Sequence, residues 1–456
     1  MSLVSDTTSD GGGAVRGFVR DYVSKTREFS RNANLYVVIG MDMIHGSFNV
    51  LFNLYLLALG FDIRFIGLRL VVRAIVSALT AVPAGFVSDR IGRKASFILG
   101  DGVGAVLALI MIHSQSHFVL LAAPAMGAFF SNLHHTSEGA FMMENSRPSE
   151  RVHLFSIASS LRTLSAMAGM LLAGMVPLMF IDSIGKIDAY RYATYAGLGL
   201  WFLSLVPALM LRSGQAIEHP ERGSGRPEES GRSLRNLFFD IRHPRLIVYF
   251  VITSALVLFG VGAVSPLMNV VLHEGHVHAN EGGIGVMFAV AELTLAVAML
   301  GVPLLAAHML KVDAIVLTRI LSLPFVLAMG LVPLVLGEGS VLLLAMGAFY
   351  VGRVSIARVA GPLDDAFNME VLDPRERATN TGFEIAAGGA MSAIAIVIAS
   401  RMIDSGDFTT PFMIMETALL ISAVLYWQMF RPIEGASALE RAADAGELHT
   451  SPATGD

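Results

Sequence analysis

Apolar residues run through this chain in long unbroken stretches, separated by short polar or charged breaks. Twelve such stretches can be counted, at approximately 35–60, 65–88, 95–114, 117–137, 154–180, 190–211, 246–272, 284–308, 314–336, 339–362, 380–402 and 410–430. Each can supply the roughly 20 helical residues needed to cross a hydrocarbon core of about 30 Å. Backbone polar groups find no water inside a bilayer, so stretches of this length predict helices and not open strands. The pattern predicts an all-α membrane protein with twelve transmembrane helices.

The polar breaks are unequal. The longest, 212–245, contains GSGRPEESGR, a flexible-linker composition. It divides the chain into an N-terminal segment (1–33), a six-helix bundle (34–211), the linker (212–245), a second six-helix bundle (246–430) and a tail (431–456). Residues 15–31 read either as an amphipathic helix lying on a membrane surface or as a solvated basic leader. The tail is expected to be mostly disordered, with a short helix near 436–448. An internal repeat supports the division. AFMMENSRPSER at 140–151 and AFNMEVLDPRER at 366–377 are separated by 226 residues and agree at seven of twelve positions. Each follows an even-numbered stretch, the fourth and the tenth. Two related six-helix bundles are therefore expected.

Composition adds compartment and orientation. Of 456 residues 54 % are hydrophobic and 15 % charged, with mean hydropathy +0.63; a soluble domain carries about 25 % charge. The net charge of −5, with cations dispersed among short loops, gives no basic surface for nucleic acid. The absence of cysteine excludes disulfides, thiolate metal sites and thiol catalysis. No early apolar core marks a cleaved leader in 1–33. With both termini assigned to the cytoplasm, 22 of the 32 Lys and Arg residues fall on that side, four on the other and six inside the stretches. This bias fixes the expected orientation by the positive-inside rule.

Between the second and third stretches the chain reads GFVSDRIGRK at 85–94. The string resembles the signature loop between the second and third helices of the major facilitator superfamily. The resemblance implies a secondary transporter of a small solute in the cytoplasmic membrane, working by rocker-switch alternating access as a monomer, without a cofactor. It implies that Gly85, Asp89, Arg90, Gly92, Arg93 and Lys94 form a cytoplasmic latch. The bland reading of those cations is a loop that only fixes topology. The equivalent place in the second half reads LLAAHMLK and has lost the acid and the Gly-Arg. In the repeated boxes, Glu144 with Arg151 and Glu370 with Arg377 flank turns containing Pro148 and Pro374. They are candidate gate residues, able to pair with each other or with the 85–94 loop, or else ordinary helix-end salt bridges.

The first stretch carries Asp42, His45, Asn49 and Asn53 on one helical face. Asp42 lies about 10 Å from the cytoplasmic edge at 1.5 Å per residue, and an ionisable group there should face protein or water. The superfamily's first, fourth, seventh and tenth helices line its cavity, so the stripe is expected there, with Asp42 a candidate proton carrier; a hydrogen-bonded packing seam is the alternative. Other intramembrane charges are Arg69, Arg73, Arg162, Arg319, Arg353, Arg358, Asp101, Glu292, Glu384 and Glu416. Each buried Arg must find an anion, from the protein or from a substrate. Tyr350 with Arg353, then Arg73 and Arg162, with His134 and Glu292, are the candidate cavity residues. Several arginines together favour an anionic or zwitterionic solute. Arg319 and Glu416 are expected to be structural.

Other chemistries find less support. His273, His276 and His278 read as a solvated loop more readily than a metal site. The fifth stretch has Gly169 and Gly174 but not the Gly-Pro pair of drug–proton antiporters, and the fourth lacks an Arg, which weighs against multidrug efflux. No P-loop, zinc-protease or Gly-x-Ser-x-Gly string is present, which argues against a pump driven by ATP and an intramembrane enzyme. A non-transporting sensor with the same fold remains the other class, and the intact 85–94 loop argues against it.

Overall fold

The computed structural model describes residues 29–39, 46–147, 151–212, 242–299, 308–336, 339–373 and 376–444, with isolated positions at 302 and 305. Residues 213–241 of the linker and 15–28 of the basic leader fall outside these residues. All regular structure among them is helical. The first group comprises α1 (Arg31–Ile39), α2 (Gly46–Ala58), α3 (Ile63–Ile91), α4 (Arg93–His113), α5 (His117–Glu144), α6 (Arg151–Ile184) and α7 (Lys186–Met210). The second comprises α8 (Pro244–Val264), α9 (Met268–Glu274), α10 (Glu281–Met299), α11 (Lys311–Val335), α12 (Ser340–Arg358), α13 (Ala360–Val371), α14 (Arg377–Asp404) and α15 (Thr410–Asp444).

Ten of the described helical segments are long and apolar enough to cross a bilayer. The 28-residue α5 has the length of a span but is not among them; it carries Asn132, His134, His135, Thr136, Ser137 and Glu138 within two turns, which lowers its hydropathy. The first predicted stretch is represented by α1 and α2, on either side of residues outside the described set.

Prolines break two predicted stretches. The seventh, expected at 246–272, is interrupted by a 3-10 turn at Ser265–Leu267. Pro266 has no N–H to give the helix, and its ring crowds the carbonyl one turn back. The tenth, expected at 339–362, ends as α12 at Arg358 and restarts as α13, with Pro362 placed to remove the bond to the Arg358 carbonyl. The last helix, expected to stop at 430, continues to Asp444. It persists because it is anchored. Glu434 accepts from the N–H groups of Lys311 and Val312, both at 2.8 Å, and Arg431 donates to Asp313 at 2.8 Å. A carboxylate over otherwise unpaired N–H groups is a cap supplied by another helix.

Glu376 does the same for α8. It accepts from the N–H groups of Arg242 and His243 and from His243 Nδ1, the last at 3.0 Å. Burial alone would raise its pKa, but the hydrogen bonds from His243 and Arg242 outweigh this and hold it below the ordinary value. Gly92, at φ +86°, makes the one-residue corner between α3 and α4, a backbone angle that side chains other than glycine's rarely adopt.

The helices pack in a regular set of pairs. In the first group α2 packs on α6 and α7, α3 on α5, and α4 on α5 and α7. In the second, α8 packs on α14 and α15, α10 on α12, and α11 on α12 and α15. The groups meet where α3 lies on α14 and α6 lies on α10. Chain order puts two sets of connections at opposite ends. One end, rich in arginine, carries residues 92, 145, 212 and 243; the other carries 60, 185, 275–280 and 405–409. At the far end one apolar core runs through both groups, including Tyr55, Phe65 and Tyr190 with Leu267, Ile284 and Phe412. At the arginine-rich end the cores are separate: Tyr36, Phe97 and Phe141 in the first group, Phe250, Phe367 and Phe430 in the second. Large apolar side chains such as Leu79 (71 % exposed), Phe118 (78 %) and Leu344 (74 %) lie on the periphery, where lipid is a suitable solvent.

Candidate functional site

The far end is a closed contact between the two groups. On the α6–α10 side the backbones touch: a Cβ added at Gly174 would lie 2.6 Å from the Glu281 carbonyl oxygen, and one at Gly285 would lie 2.6 Å from that of Met170. Small residues are what allow helices this close. On the α3–α14 side Gly67 faces Ser400 and Gly389 faces Ala78. Polar clasps surround these contacts. Tyr190 donates to the buried Glu281, Lys186 donates to His273 Nε2 at 3.0 Å, and Arg64 pairs with Asp404 at 2.7 Å. His273 is thereby engaged, since its Nδ1 contacts the Ala279 carbonyl at 3.0 Å.

Nearer the centre, Asn53 crosses the boundary between the groups. Its amide donates to the Pro266 carbonyl and to Asn269 Oδ1, both at 3.2 Å. The 3-10 turn makes this geometry possible, because it leaves carbonyls that no α-helical N–H takes up. Arg69 Nη2 donates to Asn53 Oδ1 at 2.7 Å, and its guanidinium stacks 4.7 Å from the Phe52 ring centre.

At the arginine-rich end, the 85–94 loop is held mostly by its own group. Arg93 donates to Asp89 (2.7 Å) and Ser88 Oγ (3.0 Å) and lies 3.6 Å from Glu144. Lys94 donates to the Leu209 and Leu211 carbonyls, both at 2.7 Å, a cation on a helix C-terminus. Asp89 is 65 % exposed and Arg90 is exposed. The loop borders a half-open pocket of about 490 Å³ lined by Asn32, Ser88, Asp89, Arg93 and Glu144. Gly85 has nothing within 4 Å of its Cβ position, so no neighbouring helix approaches it closely. In the second group Lys311 pairs with Glu370, while Arg377 donates to the Met369 and Leu372 carbonyls. Thus Glu370 and Arg377 do not pair with each other; each is used locally. Glu144 and Glu370 each take a cation from the first residue of a helix in their own group, Arg93 on α4 and Lys311 on α11. The side chain of Arg151 lies outside the described residues.

The intramembrane arginines separate into two kinds. Arg162 pairs with Glu138, Arg319 with Asp364 (3.2 Å) and Arg358 with Glu292 (3.0 Å). Arg69, Arg73 and Arg353 have no carboxylate within ion-pair distance among the described residues. Arg353 donates to Ser265 Oγ at 3.4 Å, and its Nε, like that of Arg69, is buried without a partner. Tyr350 stacks on Phe288 at 5.1 Å. His134 sits in the packing of the first group, 2.8 Å from Asp101 and edge-on to Phe97, and not at the boundary between the groups. Asp42 and His45, and the side chain of Asn49, fall outside the described residues.

The sequence matches the profile of the Major Facilitator Superfamily over residues 35–361. The chain belongs to the major facilitator superfamily. No curated protein matches it by sequence. Solved structures of the superfamily's fold superpose at 12–14 % identity. A point mutant of the nucleoside transporter NupG gives a TM-score of 0.68 at 13 % identity, covering 88 % of this chain and 100 % of that one. A structure from work on proton-dependent oligopeptide transporters gives 0.66 at 14 %, covering 88 % and 98 %. A bacterial homologue of the human lysosomal transporter Spinster, inward-facing and unoccupied, gives 0.65 at 14 %, covering 88 % and 96 %.

Within this superfamily member, the structure brings Asn53 and Arg69 together with the α8–α9 break, and sets Arg353 on the same break. It assigns Arg162 and Glu292 to ion pairs with Glu138 and Arg358. The acids at 138 and 364 stand in the same 226-residue register as the repeated boxes, a signal already present in the sequence. Arg69 and Ser265 had no such signal; their importance comes from partners that only the fold supplies.

Proposed function

We propose that the chain is a secondary active transporter that carries a small solute across the cytoplasmic membrane by alternating access, with both termini in the cytoplasm. The observation that carries this reading is the difference between the two ends. One apolar core and a set of polar clasps join the groups at the far end, while the cores are separate at the arginine-rich end. With the arginine-rich end placed in the cytoplasm by the positive-inside rule, this is an inward-open conformation. The inward-facing state named for the Spinster homologue supports the same reading. The helix pairs of the two groups correspond one to one, which supports twelve helices in two six-helix bundles about a pseudo-two-fold axis.

Asp89 exposed beside Arg93 is then the released form of the cytoplasmic latch, and the far-end contacts are the closed outer gate. A proton is the proposed coupling ion and Asp42 its proposed carrier. Uptake into proteoliposomes with and without a pH gradient tests both. Asp42→Asn should abolish gradient-driven uptake and spare counterflow exchange. Equal survival of both activities removes Asp42 from the coupling role, and absence of any flux for solutes that bind removes transport.

A further inference from the structure

Six arginines lie within the membrane-spanning stretches, and the chain spends acids on three of them. The other three are not scattered. Arg69 and Arg73 are one turn apart on α3. Arg69 and Arg353 reach the same feature from opposite groups: Arg69 through Asn53 to the Pro266 carbonyl, Arg353 directly to Ser265 Oγ. Two consecutive residues of the α8–α9 break thus connect a guanidinium of the first group with one of the second.

Leu68, Ile75, Leu79, Val82 and Phe86 are exposed apolar residues that form one lipid-facing stripe along α3, and Ile91, also exposed, lies off it at the loop end. At about 100° per residue, Arg73 points about 140° away from that stripe. Arg73 is nevertheless exposed, on the side of α3 whose Ser77 and Thr80 bond Asn132 of α5 and not on the lipid-facing stripe. Arg69 and Arg353 are only 6 % and 7 % exposed, and each keeps a buried Nε–H without an acceptor. A buried guanidinium cannot shed its proton, and leaving one charge uncompensated costs several kcal/mol. Three like charges around one interior space raise that cost further. An oxyanion meets all these requirements, because carboxylates and phosphates accept the paired N–H donors of guanidinium in its own plane.

We propose that Arg69, Arg73 and Arg353 form the binding site for a solute bearing a carboxylate or phosphate group. Arg69 also serves the gate. It holds Asn53, and Asn53 holds the second group through Pro266 and Asn269. An anion that draws Arg69 away from Asn53 loosens that contact, which links occupancy to separation of the outer end. The proposal rests on the transporter reading for its cavity, but binding can be read without flux.

The full chain in lipid nanodiscs is titrated by calorimetry and thermal shift with inorganic phosphate, succinate and hexose phosphates as oxyanion probes. Glutamate is the zwitterionic probe, uridine and glucose are neutral, and tetraphenylphosphonium is cationic. Saturable binding confined to oxyanion-bearing probes is expected, weakened at least tenfold by Arg69→Gln, Arg73→Gln and Arg353→Gln. The phosphate and carboxylate arms decide which oxyanion is taken. If a Gln variant does not fold, the corresponding Lys variant keeps the charge and loses the fork, and the same loss of affinity with an unchanged melting temperature is expected. Binding of only neutral or cationic probes, binding by none of the oxyanions, or wild-type affinity in the folded variants overturns the proposal. Oxyanion binding without flux of the same probe in proteoliposomes upholds this site and overturns transport. Flux of a neutral solute without oxyanion binding does the reverse.

Discussion

The sharpest test of the gate is to thicken the bare backbone contact between α6 and α10. A Cβ at Gly174 would sit 2.6 Å from the Glu281 oxygen and 3.0 Å from the Gly285 Cα. The closer contact is about 0.8 Å inside the lower limit of ordinary van der Waals approach, 3.4 Å. Both neighbours are backbone, so no side chain can turn aside. Gly174→Ala therefore forces a shift, and Gly174→Val a larger one, costing about 1–3 kcal/mol by the usual scale of overpacking. Helix propensity alone favours alanine over glycine by about 0.5–1 kcal/mol, so any loss in the closed form opposes the intrinsic trend. If the contact exists only while the outer gate is shut, 1–3 kcal/mol moves the population about 5- to 150-fold toward the other form. The chain has no native cysteine, so spin labels at Ile184→Cys and Val341→Cys report the separation of the two groups at this end. Gly174→Val should lengthen the distance distribution, with Gly174→Ala intermediate. A folded Gly174→Val protein with the wild-type distribution refutes the assignment of this crossing to the gate.

Two further outcomes concern the scaffold. Glu376→Gln should cost about 1–3 kcal/mol at neutral pH, since a buried carboxylate serving two N–H groups and His243 is replaced. The folded-state pKa is depressed, so the contribution is present above the ordinary value of 4.5 and is lost as pH falls below it; melting curves of wild type and variant should converge in that acid window. Asp364→Asn leaves the buried Arg319 without its carboxylate and weakens the bond from the Tyr426 hydroxyl, 2.6 Å long. A loss of about 3 kcal/mol, the low end for a broken buried pair, should appear as a lower melting temperature. Adding Arg319→Met to that variant should restore part of the loss; no recovery contradicts an uncompensated charge as the cause.

The apolar stretches could be read from the sequence because a bilayer demands length and hydropathy, both local properties. The 85–94 loop could be read because its residues are contiguous. Pairing could not. Arg162 finds Glu138 across 24 residues, Arg319 finds Asp364 across 45, and Arg358 finds Glu292 across 66. Nothing local says which arginine will be neutralised. For that reason Arg162 and Arg73 are equivalent in the sequence, while the fold gives an acid to one and, among the described residues, none to the other. The breaks at Pro266 and Pro362 were visible as residues but not as consequences, because transmembrane helices also accommodate prolines without breaking, as Pro177 in α6 and Pro324 in α11 do here. His134 illustrates a related point. A polar residue in a span can be satisfied by a neighbouring helix as well as by a cavity, and Asp101 on α4 does so.

On the alternating-access reading proposed above, the crossing of Gly174 on Gly285 would act more as a bearing than as a cog. Backbone meets backbone at that point, with Leu178 of α6 seated on Gly282 beside it, so few side chains would have to disengage as one group rolled over the other, and the resistance to turning would be concentrated in a few detachable catches around the rim. Some of these, such as Arg64–Asp404, are solvent-exposed and individually weak, about 0–1 kcal/mol. On that reading, the modest interaction energy of one small cargo would be enough to swing an assembly many times its own mass.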